Sequence, residues 1–169
     1  QKVPLLPAAL EQPGQISRML HDFFTTSPGV VALVDGRVVG FIAAYLVDAF
    51  RGTPRKAAYV LEWGHGALDA RTYRALYRAA SALWSEAGCE VHAISLLAHD
   101  HAAQEVWFWN GFGLTAVDAI RSIQPLTNLP APAVTVRQAA LADLESLLHL
   151  EAGHANHYHQ PPIFMAAYE

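Results

Sequence analysis

The stretch that most constrains this chain runs over residues 57–113. An apolar segment, Ala57-Ala58-Tyr59-Val60-Leu61-Glu62-Trp63, reads as a strand. A long amphipathic helix over 69–87 follows, with Tyr73, Leu76, Tyr77, Ala80, Leu83, Trp84 and Ala87 on one stripe at helical spacing. Asp69 is placed to cap its start, and Gly88 supplies the residue beyond its end. A second strand over 91–97 leads into a short helix over 102–109 that stops at Asn110-Gly111. His99-Asp100-His101 introduces that helix, with Asp100 as its cap.

Upstream, Ile16, Met19, Leu20, Phe23 and Phe24 give residues 15–25 one apolar helical face, bracketed by Gly14 and Ser27-Pro28-Gly29. Two β-branched runs, over 30–34 and 37–45, flank Asp35-Gly36. This is a hairpin signal, because a type I′ turn needs positive φ at both central residues. A loop over 48–56 carries Arg51, Arg55 and Lys56. Downstream, 114–126 alternates loosely and predicts one or two closing strands. Residues 127–133 form an uncharged linker with two prolines. Beyond it, 134–137 predicts a short strand and 141–151 a helix with Leu144, Leu147 and Leu148 inward and Asp143 in its first turn. One strand and one helix bury too little surface to stand alone, so this piece docks on the first domain or opens a second.

The chain has 169 residues, 53% of them hydrophobic and 15% charged, which suits a globular fold with ample core material. A net charge of −4 argues against nucleic acid or an acidic membrane surface as partner. No apolar run approaches the ~20 residues that span a bilayer. Cys89 is the single cysteine, so no internal disulfide forms and a cytoplasmic location is expected. The proline-broken lead-in over 1–13 makes a poor secretion signal, and the chain does not begin with methionine, which suggests a fragment.

The order helix, hairpin, strand, long helix, strand, short helix and closing strands resembles the GNAT superfamily of acyl-CoA-dependent N-acyltransferases. Val106-Trp107-Phe108-Trp109-Asn110-Gly111-Phe112-Gly113 looks like that family's aromatic helix ending in Gly-Phe. Residues 134–144 look like its opening strand and helix. The resemblance implies an α/β fold of mixed α+β type, with a central mixed, mostly antiparallel sheet flanked by helices. It also implies an organisation: 1–126 as a GNAT-like domain lacking its opening strand and helix, 127–133 as linker, and 134–169 as the opening of a second such domain. A swapped or permuted piece completing the first domain is the other reading, and with it a domain-swapped or homodimeric assembly.

The resemblance further implies acetyl-CoA as co-substrate and a small-molecule or peptide amine as acceptor. Its binding region falls on Trp63, Gly64, His65, Gly66, Arg71, Tyr73 and Trp107, with Glu62 on the strand beside the cofactor as general base. Two departures stand out. Arg71-Thr72-Tyr73 occupies the place of the family's Gly-x-Gly, where backbone N–H groups must approach a diphosphate closely, and Asp69 would repel that anion. Trp107 stands where a tyrosine often protonates the leaving thiolate, and its indole has no comparable acidity, which also fits a core or interface aromatic. Gly64-His65-Gly66 is either a displaced Gly-x-Gly or a tight strand-exit turn. Arg71 and Arg74 are either phosphate-binding cations or solvated. Glu62 is either a base or a satisfied structural carboxylate.

Glu151, His154, His157 and His159 form a run whose first two members share a helix face. Without cysteines or an enclosed site it reads as a polar helix end, and no metal site is assigned. The expected function is GNAT-type acyl transfer from acetyl-CoA to an amine, with the 1–126 domain degenerate in cofactor binding. The alternative is a non-catalytic GNAT-like scaffold or substrate-binding domain.

Overall fold

The computed structural model of the protein describes residues 12–120, 123–125, 130, 133–158 and 160. The chain divides into two compact units, Gln1–Phe112 and Gly113–Glu169.

The first unit opens with α1, Pro13–Thr26. Pro13 sits in its first turn, where a missing N–H costs nothing and the fixed φ suits the helix. Gly14 therefore lies inside the helix instead of bracketing it. Strands β1, Gly29–Val34, and β2, Arg37–Ala43, pair antiparallel across Asp35-Gly36. These turn residues have φ of 49° and 75°, the double positive φ that the dipeptide predicts. The register shifts between Ala32 and Leu33, leaving Val39 as the extra residue of a bulge.

The expected continuous strand to Tyr45 breaks at Ala44. Beyond it β3, Tyr45–Val47, pairs antiparallel with β4, Ala57–Val60, in a second sheet. The expected strand over 57–63 breaks as well. A turn closes with Gly64 N–H donating to Leu61 O at 2.9 Å, and the chain resumes as β5, His65–Ala67, antiparallel to β2. Gly64 fits this corner because a Cβ there would sit 3.1 Å from Ala43 O and 3.2 Å from the Phe23 ring. Helix α2, Thr72–Glu86, then leads to β6, Val91–Ile94, which runs parallel to β4. Sheet orders are β1-β2-β5 and β3-β4-β6. Three antiparallel pairings and one parallel one make the mixed, mostly antiparallel α+β architecture that the family resemblance implies.

Helix α2 starts three residues later than expected. It ends as predicted: Gly88 takes φ 82°, with Gly88 N–H on Ser85 O and Cys89 N–H on Trp84 O, both 2.9 Å. Tyr73, Leu76, Ala80 and Trp84 are buried, whereas Leu83 turns outward. Helix α3, His101–Trp109, is capped by Asp100, whose side chain accepts Ala103 N–H at 3.1 Å. The core joins Ile42, Ala44, Ala58 and Val60 of the sheets to Tyr73, Leu76, Ala80, Trp84, Ala103 and Trp107 of the helices. Cys89 is buried in the same cluster, and burial pushes its thiol up.

The second unit departs further from expectation. Residues 113–120 and 123–125 form no strand, and Leu114, Val117, Ile120 and Ile123 are exposed. Residues 134–137 form no strand either. A strand exists only through its pairing, and β-propensity alone does not hold one. A 3-10 turn, Leu141–Asp143, precedes α4, Leu144–Tyr158, which runs beyond the predicted 151. Leu144, Leu147 and Leu148, expected inward, are exposed. Asp143 instead ties the helix start together: it binds Arg137 at 2.6 Å and accepts Ala140 N–H at 2.8 Å.

Candidate functional site

Of the expected site residues, His65, Tyr73 and Trp107 meet where β4 and β6 end and β5 leaves along β2. Val60 and Ile94 are the last parallel partners, and Ser95 N–H donates to Val60 O at 2.9 Å. From there β5 follows β2 while the chain after β6 turns toward α3.

His65 bridges this divergence. Its Nε2 lies 3.0 Å from Ser95 O, and its Nδ1 lies 3.0 Å from the Tyr73 hydroxyl. A carbonyl oxygen only accepts, so Nε2 carries the proton and Nδ1 accepts from Tyr73. Burial lowers the His65 pKa below its ordinary 6.5, against smaller opposing effects of the Ser95 bond and the Asp100 and Glu62 carboxylates. Burial likewise pushes the Tyr73 hydroxyl up to about 12, helped by Asp100 and opposed by a hydrogen bond to the Ala67 backbone. Gly64 thus closes the turn by which the chain leaves β4, as the strand-exit reading expected, but that turn does not extend through Gly66. His65 and Gly66 belong to a strand, and a Cβ at Gly66 would meet the Phe41 ring at 3.0 Å.

At the start of α2, Arg71 N–H donates to Asp69 Oδ1 at 2.9 Å. The N–H groups of Thr72, Tyr73 and Arg74 go to Asp69 O, Ala70 O and Arg71 O at 2.9, 3.0 and 3.3 Å. The Arg71 guanidinium holds the Asp69 carboxylate at 2.6 Å and lowers its pKa to about 2. An anion of the protein's own therefore already sits at this helix start. The four donors that would greet a phosphate all have acceptors within the chain.

Glu62 and Trp63 occupy the two corners of the 61–64 turn instead of a strand. Glu62 is exposed. Trp63 packs on Phe23 of α1 at 4.8 Å between ring centroids and on Tyr45 at 6.2 Å. Trp107 is buried against Tyr73, Tyr77 and Phe112, with centroids 5.4, 5.5 and 5.1 Å away. It is a core residue, and its Nε1 finds no acceptor among the described residues. The structure thus joins His65 to Tyr73 and brings Tyr73 against Trp107, while Trp63 turns to α1 and Arg71 stays at the surface.

Sequence reasoning missed Ser95. Its carbonyl receives His65, and its Oγ lies 2.9 Å from the Tyr59 hydroxyl. No local pattern marks it, since its partners lie 30 and 36 residues away. On α4, Glu151 and His154 pair at 3.5 Å, as their spacing predicts. No group of three metal-ligating side chains occurs among the described residues, and His159 lies outside them. Also among the described residues, no helix is long and apolar enough to cross a membrane.

No protein-family model matches the sequence, and no curated protein matches it. Solved structures do. An aminoglycoside N-acetyltransferase, AAC(6')-Iy, in complex with CoA superposes with a TM-score of 0.51 at 19% identity, over 70% of this chain and 95% of that one. A point mutant of TTHA1254 from Thermus thermophilus gives 0.50 at 23% identity, over 63% and 79%. A transcriptional regulator from Bacillus halodurans C-125 gives 0.52 at 13% identity, over 68% and 79%. The element order, the mixed sheet and these superpositions together give the chain the fold of the GNAT N-acetyltransferases.

Proposed function

We propose that the protein is part of a GNAT-type N-acetyltransferase in which residues 12–112 serve as a non-acylating scaffold. Acetyl transfer from acetyl-CoA to an amine then belongs to a companion GNAT-type domain. The single observation carrying this reading is the closed start of α2. Arg71, Thr72, Tyr73 and Arg74 spend their N–H groups on acceptors in the chain, and the Asp69 carboxylate lies where a diphosphate would need positive potential. The residues present do not fit acetyl-CoA, so no chemical step is assigned to them. Trp107 in place of a hydroxyl-bearing residue agrees with that absence of acid chemistry.

Isothermal titration calorimetry with acetyl-CoA tests the reading. The expected result is no binding up to millimolar ligand. A micromolar Kd on the unaltered protein would overturn it and make these residues an acetyl-CoA site.

A further inference from the structure

The lateral gap between β5 and the chain beyond β6 contains a feature that the closed helix start does not explain. Once the β4/β6 ladder ends, Ser95 O points across the divergence, and a backbone carbonyl at such an edge needs a donor. In an ordinary sheet the next strand supplies it. Here a side chain does: His65 Nε2–H reaches Ser95 O at 3.0 Å. The ring cannot rotate freely to serve elsewhere, because Tyr73 holds its other nitrogen at 3.0 Å. Tyr73 is itself buried and packed on Trp107. Tyr59 holds the Ser95 side chain from β4 at 2.9 Å, fixing the receiving residue as firmly as the donor.

An extended chain bearing amide N–H groups binds a sheet edge by offering donors to such carbonyls. His65 offers the same donor from within. We propose that His65 is a built-in occupant of this gap, mimicking the amide of an extended ligand and excluding the amide-bearing pantetheine arm of an acyl-CoA. The inference rests on the proposed scaffold reading but concerns a different part of the site. Asp69 and Arg71 occupy the start of α2, whereas His65 occupies the Ser95 carbonyl. The two closures meet at Tyr73, whose N–H belongs to the α2 start and whose hydroxyl holds His65, but among the described residues no hydrogen bond joins Asp69 or Arg71 to His65 itself.

Pantetheine, which lacks the diphosphate and nucleotide, isolates the His65 closure. It is titrated into the unaltered protein and into His65→Ala and His65→Ser, with amide chemical shifts of Ser95 and Gly66 as readout. Circular dichroism identifies any variant that fails to fold, and the serine variant is a second, polar replacement if the alanine variant is too unstable. The expected result is saturable binding at least about tenfold tighter in a folded variant than in the unaltered protein, with the largest shifts at Ser95. Equal binding in both, or none in a folded variant, would overturn the proposal. If both variants unfold, a saturable Ser95 shift in the unaltered protein would also overturn it, and none at saturating pantetheine would support it. Acetyl-CoA binding to the unaltered protein is scored separately. Binding there sinks the scaffold reading, whereas a failed pantetheine experiment with no acetyl-CoA binding sinks only the role given to His65.

Discussion

The Tyr73 hydroxyl lies 3.0 Å from His65 Nδ1, and that one bond joins the first turn of α2 to the strand that leaves the sheet junction. It also settles the chemistry of the imidazole. With Nε2–H committed to Ser95 O and burial lowering the pKa, the ring is neutral and Nδ1 is the acceptor.

The neutral ring makes stability depend on pH with a defined sign. Burial lowers the folded-state pKa of His65, and of His92, below 6.5. The unfolded chain therefore binds protons first as pH falls. Their contribution is complete above about pH 6.5 and is lost on acidification through the folded-state values, at up to ~1.4 kcal/mol per pH unit for each group. Urea midpoints at pH 7.5, 6.5 and 5.5 should fall in that order. His65→Gln should flatten the dependence, and a midpoint that rises on acidification would contradict the assignment.

Tyr73→Phe removes the donor to Nδ1 and leaves a part-buried acceptor unpaired, so it should destabilise by about 1 kcal/mol or more. The neutral ring also loses a bond that favours it, so the His65 pKa should rise. An NMR titration of the His65 ring protons separates this from a simple packing loss, which would leave that pKa in place.

Two glycines should respond oppositely to alanine. At Gly29 an added Cβ would lie 2.5 Å from Ala43 Cβ and 2.8 Å from Ile42 O, so a strand must move, at a cost of about 1–3 kcal/mol. At Gly14, inside α1, nothing lies within 4 Å, and Gly14→Ala should stabilise by about 0.4–1 kcal/mol. Chemical denaturation of the two variants beside the parent measures both. Equal effects would contradict the pairing of Gly29 with Ala43 in the β1/β2 ladder.

The Asp69–Arg71 pair is short, but its side chains are 49% and 88% exposed. Solvent screens such a pair, so Arg71→Ala should leave the thermal midpoint unchanged and its salt dependence unaltered. A clear drop in the midpoint would mean that the pair holds the α2 start in place, beyond merely occupying it.

Local chemistry made much of the first unit legible. Asp35-Gly36 specified its turn, Asp100 its cap and Gly88 its helix end, because each acts on neighbours a few residues away. The break at 61–64 was hidden inside an apolar run, since the demand for a corner comes from Ala43 and Phe23, far upstream. That break took Glu62 and Trp63 off the strand. The strands expected over 114–126 and 134–137 required partners that no periodicity can supply. Arg71-Thr72-Tyr73 placed bulky side chains at the α2 start, and the structure puts their N–H groups on acceptors within the chain. The path of the His65 ring to Ser95 depended on strand divergence, which is a property of the assembled sheet.

Ala44 is the point at which one continuous backbone leaves the first sheet and joins the second, with Ala43 N–H on Gly64 O at 2.9 Å and Ala44 N–H on Pro28 O at 3.2 Å. A single peptide thus serves as the seam of two ladders. Opening either sheet pulls on the covalent neighbour of the other, so the two should share one opening event. Amide protons of Phe41, Ala43, Leu46 and Tyr59 would then exchange with solvent at a common free energy. The two sheets would then open as one foldon, although by hydrogen-bond pattern they count as two.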